Sequence, residues 1–231
     1  MAIRRFSIVL LTIILIGSTF TGIVNPLENE RPLLAKPALE NVRAYAAPVA
    51  ADGIAYAVDG GVLFQGSPLH WTQVGTPAGV IVSAVAMDEA NEAVYIGAAN
   101  EMAIYRTNDG GNSWLRIPLS DQFIGGVTDI AVDGYERLVY VGTDTAGLFR
   151  LRDVGSSMVV SGQLLLDEPV VQVAADSTGA GMAFVRTQWH LYRAQDFGLT
   201  WLEVEDLKSI PTAVEVANTT PATVFVGTTD H

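Results

Sequence analysis

The chain has 231 residues, 25 acidic and 13 basic side chains, a formal net charge of −12 and no cysteine. Without thiols there is no disulfide framework, thiolate nucleophile, iron–sulfur centre or lipobox anchor. From Val42 onward, 22 acids against 9 bases argue against a nucleic-acid surface, which needs lysine and arginine to meet phosphate.

Residues 1–24 open on Arg4 and Arg5 and then carry no charge from 6 to 24. As a helix, those 19 residues would span roughly 28 Å, close to the hydrocarbon thickness of a bilayer. The two arginines orient such a segment with everything after it on the far side of the membrane. An uncleaved anchor is the preferred expectation. A signal peptide is the competing one, although the nearest small-x-small site, Ala44-Tyr45-Ala46, lies far downstream. Residues 25–41 contain Pro26, Pro32 and Pro37 and no strong periodicity, so an extended tether is expected there.

The remainder, 42–231, repeats one pattern. A first alternating stretch recurs as VRAYAAP (42–48), VSAVAMD (82–88), VTDIAVD (127–133), VVQVAAD (170–176) and AVEVANT (213–219). A second recurs as IAYAVD, AVYIGA, LVYVGT, MAFVRT and TVFVGT, a third as VLFQ, AIYR, GLFR and HLYR, and a fourth as WTQV, WLRI, MVVS and WLEV. Four short antiparallel strands per unit of about 43 residues is the spacing of a propeller blade. The expected fold is all-β, a β-propeller with four-stranded blades behind one N-terminal hydrophobic helix. Tyr95, Tyr140, Phe184 and Phe225 recur in register and are expected to fill the space between sheets.

Between the third and fourth strands stand TNDGGNSW (107–114) and AQDFGLTW (194–201). Asp109 and Asp196 are suited to accept hydrogen bonds from turn N–H groups, Gly111 and Gly198 to adopt positive φ, and Trp114 and Trp201 to bury a ring beneath the hairpin. These two stretches resemble the Asp-box of BNR-type propellers, a superfamily that includes sialidases, xyloglucan-cleaving enzymes, sortilin-like receptors and photosystem II stability and assembly factors. Blade one, with GSPLHW (66–71), lacks the acid. Blade three, with DVGSSM (153–158), reads as lacking the usual placement and the tryptophan. Arg106, Arg150 and Arg193 end the third strands at matching positions and are expected at the surface, where they balance acids or form an anion-binding ring.

Reactive chemistry is not expected. Asp88, Asp133 and Asp176 recur in register, which suits turn capping better than a unique acid or base, and Asp129 lies near the same rim. His70, His190 and His231 have no metal-ligand spacing, and neither a metal nor a cofactor site is expected. The resemblance implies either a non-catalytic accessory or assembly module of a photosynthetic or respiratory membrane complex, with a protein partner at the membrane, or a glycoside hydrolase. The fifth repeat ends after its second strand. Truncation of a larger ring, a four-bladed ring closed by the two ends, and a partner chain completing the blade all stay open as expectations.

Overall fold

A computed structural model describes residues 39, 41–47, 53–67, 70–217, 219 and 222–229. The expected hydrophobic helix over 1–24 and the tether over 25–41, save residues 39 and 41, lie outside the described residues. Among the described residues no helix is long and apolar enough to cross a membrane.

Among the described residues, eighteen strands run in chain order through five sheets, four of four strands and one of two. Blade one holds β1 (Val42–Ala46), β2 (Ala55–Asp59), β3 (Val62–Ser67) and β4 (His70–Gln73). Blade two holds β5 (Val82–Asp88), β6 (Ala93–Ala98), β7 (Ala103–Thr107) and β8 (Leu115–Pro118). Blade three holds β9 (Val127–Asp133), β10 (Leu138–Thr143), β11 (Leu148–Asp153) and β12 (Met158–Leu164). Blade four holds β13 (Gln172–Ala175), β14 (Ala183–Arg186), β15 (Leu191–Ala194) and β16 (Leu202–Glu203). Blade five holds β17 (Pro211–Ala217) and β18 (Thr223–Thr228). Every sheet is an antiparallel meander, and each first strand contacts the first strand of the next blade.

The second strand of each blade shows why the sequence reads as an apolar run. In β6, Val94, Ile96 and Ala98 pack against blade one, whereas Ala93 and Tyr95 pack against blade three. In β10, Val139 and Val141 face blade two, and Leu138 and Tyr140 face blade four. Side chains alternate between two faces, but both faces meet a neighbouring sheet, so nearly every position is apolar. The hydrophobic clusters accordingly straddle adjacent blades. Gly97 and Gly142 share the faces of Tyr95 and Tyr140, and a Cβ there would collide with Val127 and Val170 of the following blade. Glycine at these places permits the close approach of the sheets.

Two expectations need correction. In the fifth repeat the paired strand starts at Pro211, which lies opposite Thr228 as Val82 lies opposite Ala98 and Val127 opposite Thr143. The sequence alignment placed Ala213 there. A shift of two residues keeps every side chain on its own face, so hydrophobic alternation could not detect it. Phe225, expected between sheets like Tyr95 and Tyr140, is 57% exposed, because among the described residues no sheet packs on its face of blade five. Phe184, its counterpart in blade four, is buried against Val214 and Val216.

This contrast sets a test by urea denaturation. Phe184→Ala is expected to cost about 3–5 kcal/mol through transfer and cavity terms. Phe225→Ala should change stability by about 0.5 kcal/mol or less, as surface substitutions do. Equal losses would contradict the packing described.

Candidate functional site

Chemistry-bearing side chains gather in two places: the seams where successive blades meet, and the groove lined by the first strands.

At the seams, the turns between third and fourth strands of blades two, three and four are organised by an aspartate. Asp109 accepts from Ser113 N at 2.9 Å, from Ser113 Oγ at 2.5 Å and from Thr107 Oγ1 at 2.6 Å. Asp196 accepts from the N–H groups of Leu199 and Thr200, both at 3.0 Å, and from Thr200 Oγ1 at 2.5 Å. The serine and threonine hydroxyls are the main reason both carboxyls are held below the usual carboxylate range. Gly111 and Gly198 have φ of 91° and 73°, within the region that favours glycine. Each also presses on the preceding blade, since an added Cβ would strike Val74 at Gly111 and Tyr140 at Gly198. The tryptophans follow the same logic. Rather than lying beneath their own hairpins, they sit half-buried between blades: Trp114 Nε1 donates to Gly75 O of blade one at 2.8 Å, and Trp201 meets Tyr140 edge-on at 6.2 Å between ring centroids.

Blade three was misread in the sequence. Asp153, Gly155 and Ser157 hold the same offsets as Asp109, Gly111 and Ser113, so only the tryptophan is replaced, by Met158. Asp153 is buried and serves the seam. It accepts Tyr95 Oη of blade two at 2.6 Å and Gly155 N at 2.7 Å, and it pairs with Arg106 at 2.8 Å. Burial, reinforced by the bond to Asp153, pushes the Tyr95 phenol well above its ordinary value. The spacing from Arg106 to Asp109, shared by Arg150 with Asp153 and by Arg193 with Asp196, was the available signal.

The three arginines therefore do not form a surface ring. Arg106 and Arg150 are each 7% exposed. Arg106 Nη1 donates to Gly155 O of blade three at 2.5 Å, and Arg150 Nε donates to Phe197 O of blade four at 2.6 Å. Of the three, Arg193 alone is exposed. Repeat spacing marks an equivalent position but does not say whether a neighbouring turn closes over it.

The recurring acids cap the turns between first and second strands. Asp88 accepts from Asn91 N at 3.2 Å, Asp133 from the N–H groups of Tyr135 and Glu136, and Asp176 from Thr178 and Ala180. All three are buried. Among the described residues no group of three or more His, Asp or Glu side chains is placed to hold a metal ion.

The groove, about 540 Å³, is lined by the first strands of all five blades. Here the repeat breaks in a way the sequence reading overlooked. Where β5 and β17 carry Ala84 and Ala213, β9 and β13 carry Asp129 and Gln172, and where β6, β10 and β18 carry Gly97, Gly142 and Gly227, β14 carries Arg186. These side chains reach the backbone of the next blade. Asp129 Oδ2 accepts Val173 N at 2.8 Å and Oδ1 accepts Ile130 N at 2.9 Å. Gln172 both accepts Val214 N and donates to Val214 O. Arg186 Nη1 donates to Pro211 O at 3.3 Å, and Nε donates to Gln172 Oε1 at 3.4 Å. β13 and β17, whose backbone these side chains meet, lie at the edges of their sheets, and such groups can satisfy backbone that lacks a ladder partner there.

Burial raises Asp129 to about 6 against the two backbone N–H bonds, and Glu215 on the same groove adds to the rise. A carboxyl raised in the folded state binds its proton more tightly there than in the unfolded chain. Its contribution to stability is complete below about pH 4 and is lost as pH rises through about 6. Asp129→Asn, which keeps an acceptor for Val173 N, should remove that part of the pH dependence. The difference in unfolding free energy between variant and parent should move in the variant's favour from pH 4 to 7; a difference that stays constant would contradict the assignment.

No protein-family model matches the sequence, and none of the curated proteins does. Solved structures resemble the chain in fold. The GH74 xyloglucanase from Xanthomonas campestris is 20% identical, with a TM-score of 0.59 over 75% of this chain and 32% of the enzyme. The GH74 enzyme of Niastella koreensis is 16% identical, with a TM-score of 0.63 over 85% of this chain and 34% of its own. The extracellular domain of a protein described as a one-component system from B. thetaiotaomicron is 15% identical, with a TM-score of 0.62 over 86% of this chain and 27% of its own. The chain thus spans about a third or less of the length of each of these three. Repeated antiparallel four-stranded blades and likeness to these structures together show that the chain has a β-propeller fold.

Proposed function

We propose that the chain is a non-catalytic protein-interaction module on the extracytoplasmic side of a membrane, tethered through its apolar N-terminal segment. The observation that carries this reading is how the repeated charged groups are used. Asp88, Asp109, Asp133, Asp153, Asp176, Asp196, Arg106 and Arg150 are all engaged in capping turns or joining blades. A role as an accessory or assembly subunit of a photosynthetic or respiratory membrane complex is the finer form of the proposal, and it rests on the Asp-box resemblance alone. The extracellular domain among the structural neighbours supports the placement, as does the uncharged run over 6–24 behind two arginines.

A second reading, glycoside hydrolysis, has one observation in its favour. Asp129, with its raised pKa, and Glu215 line one groove, and two of the structural neighbours are GH74 enzymes. Hydrolysis of a glycosidic bond requires two carboxyl groups free to reach the bond, whereas both Asp129 oxygens already accept backbone N–H groups.

Crosslinking of the full chain in its native membranes, followed by mass spectrometry, is expected to recover the same protein neighbour repeatedly. Purified chain is expected to release no reducing sugar from xyloglucan. Absence of a neighbour, together with xyloglucan turnover abolished by Asp129→Asn, would overturn the proposal in favour of the enzyme.

A further inference from the structure

In an antiparallel meander the turn between second and third strands and the connection from the fourth strand to the next blade fall at the same end of the sheet. Five large apolar side chains stand at that end: Ile81, Ile124, Leu165 and Ile210 in the four connections between blades, and Trp189 in a turn of blade four. Ile124 is 94% exposed, more than any other large hydrophobic residue described.

Local backbone bonding holds these residues out in solvent. Thr145 Oγ1 donates to Ile124 O at 2.9 Å, Gly126 N donates to Asp144 Oδ1 at 2.8 Å, and Asp144 N donates to Gly126 O at 3.1 Å. Ile81 is fixed between Ala99 N, which donates to its carbonyl at 2.7 Å, and Asn100 Oδ1, which accepts its N–H at 3.1 Å. The loop of Trp189 is closed by Thr187 Oγ1, which accepts His190 N at 3.0 Å. An isoleucine held in water by a loop bonded on both sides loses little further conformational freedom on docking, and that lowers the cost of association.

The same end is acidic. Asp121, Asp144, Asp167, Glu205 and Asp206 are exposed there. Of the nearby bases, Arg116 is engaged by Glu101 at 2.6 Å and the half-buried Arg186 by the carbonyls of Thr187 and Pro211, leaving Lys208 and Arg43 against the acids. The opposite end also exposes apolar residues, among them Val154 and Leu199, but carries the exposed Arg193 together with Arg137 and Arg152, which pair with Asp153 at 3.6 Å and Glu136 at 3.4 Å.

We propose that the end bearing Ile124 and Ile81 is a docking surface for a cationic protein segment with apolar anchors. Aliphatic side chains of the segment would pack on the exposed isoleucines and Trp189, and its lysines or arginines would face the acidic loops. Complementary charge favours such a partner and its rate of encounter. It disfavours a second copy of this acidic chain, which would set like charges against each other. The proposal rests on the interaction reading above and names its surface and the partner's chemistry.

The test measures binding of a fluorescent decapeptide of alternating lysine and leucine to the full chain by anisotropy. Glutamate–leucine and lysine–serine decapeptides serve as controls. The lysine–leucine peptide should bind most tightly and weaken as salt is raised. The double variant Ile81→Ser, Ile124→Ser should weaken it by about tenfold or more, as loss of buried interface anchors does. The double variant Val154→Ser, Leu199→Ser at the other end should stay within about twofold. Equal weakening by both variants, no preference among the peptides, or self-association of the free chain abolished by Ile124→Ser would each overturn the proposal. Turnover of xyloglucan would leave this peptide result unchanged, so the surface and the wider functional reading can fail separately.

Discussion

Contact between one blade and the next is the interaction on which the rest of the molecule depends. A single four-stranded sheet has two faces and cannot bury either by itself. In this chain the second strands bury both, because Tyr95 and Tyr140 meet the following blade while Ile96 and Val141 meet the preceding one. Polar groups complete the same contact. Arg106 and Tyr95 close on Asp153, and Arg150 and Tyr140 close on the turn carrying Phe197, Gly198 and Trp201. A buried arginine with one partner removed would leave a charge without compensation, at a cost of about 3–5 kcal/mol. The Asp-box turn is therefore less a decoration of its own hairpin than the piece each blade offers to its predecessor.

That arrangement explains why so many charged residues that look functional in the sequence are structural. It also indicates where to look for function. In repeat proteins stability is approximately a sum of unit and neighbour terms, so a residue that departs from the repeat is free to answer to something else. Asp129, Gln172 and Arg186 depart from alanine or glycine and join first strands along the groove. The exposed isoleucines depart from burial itself, and no packing within the described chain accounts for them. The groove is largely self-satisfied through backbone hydrogen bonds, whereas the apolar end is not.

Much of the fold was legible in the sequence because the second strands are apolar over most of their length and recur with an aromatic in register, as Tyr95 and Tyr140 do. Three features were less legible, each for a physical reason. Register in the fifth repeat slipped by two residues because alternation is unchanged by such a slip. Asp153 was passed over because Met158 replaced the tryptophan that draws the eye to the motif, although its spacing from Arg150 was intact. The burial of Arg106 and Arg150 depends on a turn about 47–49 residues later in the chain folding over them, which no local pattern reports. Arg193, with an identical local pattern, remains exposed. The departures at Asp129, Gln172 and Arg186 could have been seen by comparing repeats position by position.

The central claim is that stability resides in coupling across the seams. A double-mutant cycle on Tyr140 and Trp201, which touch from adjacent blades, tests it most directly through the unfolding free energies of Tyr140→Leu, Trp201→Leu and the double variant. The account predicts an interaction energy of at least about 0.5 kcal/mol for this pair, and additivity within about 0.5 kcal/mol for Tyr140 with Trp114, which belongs to another seam. Strict additivity for Tyr140 and Trp201 would contradict it.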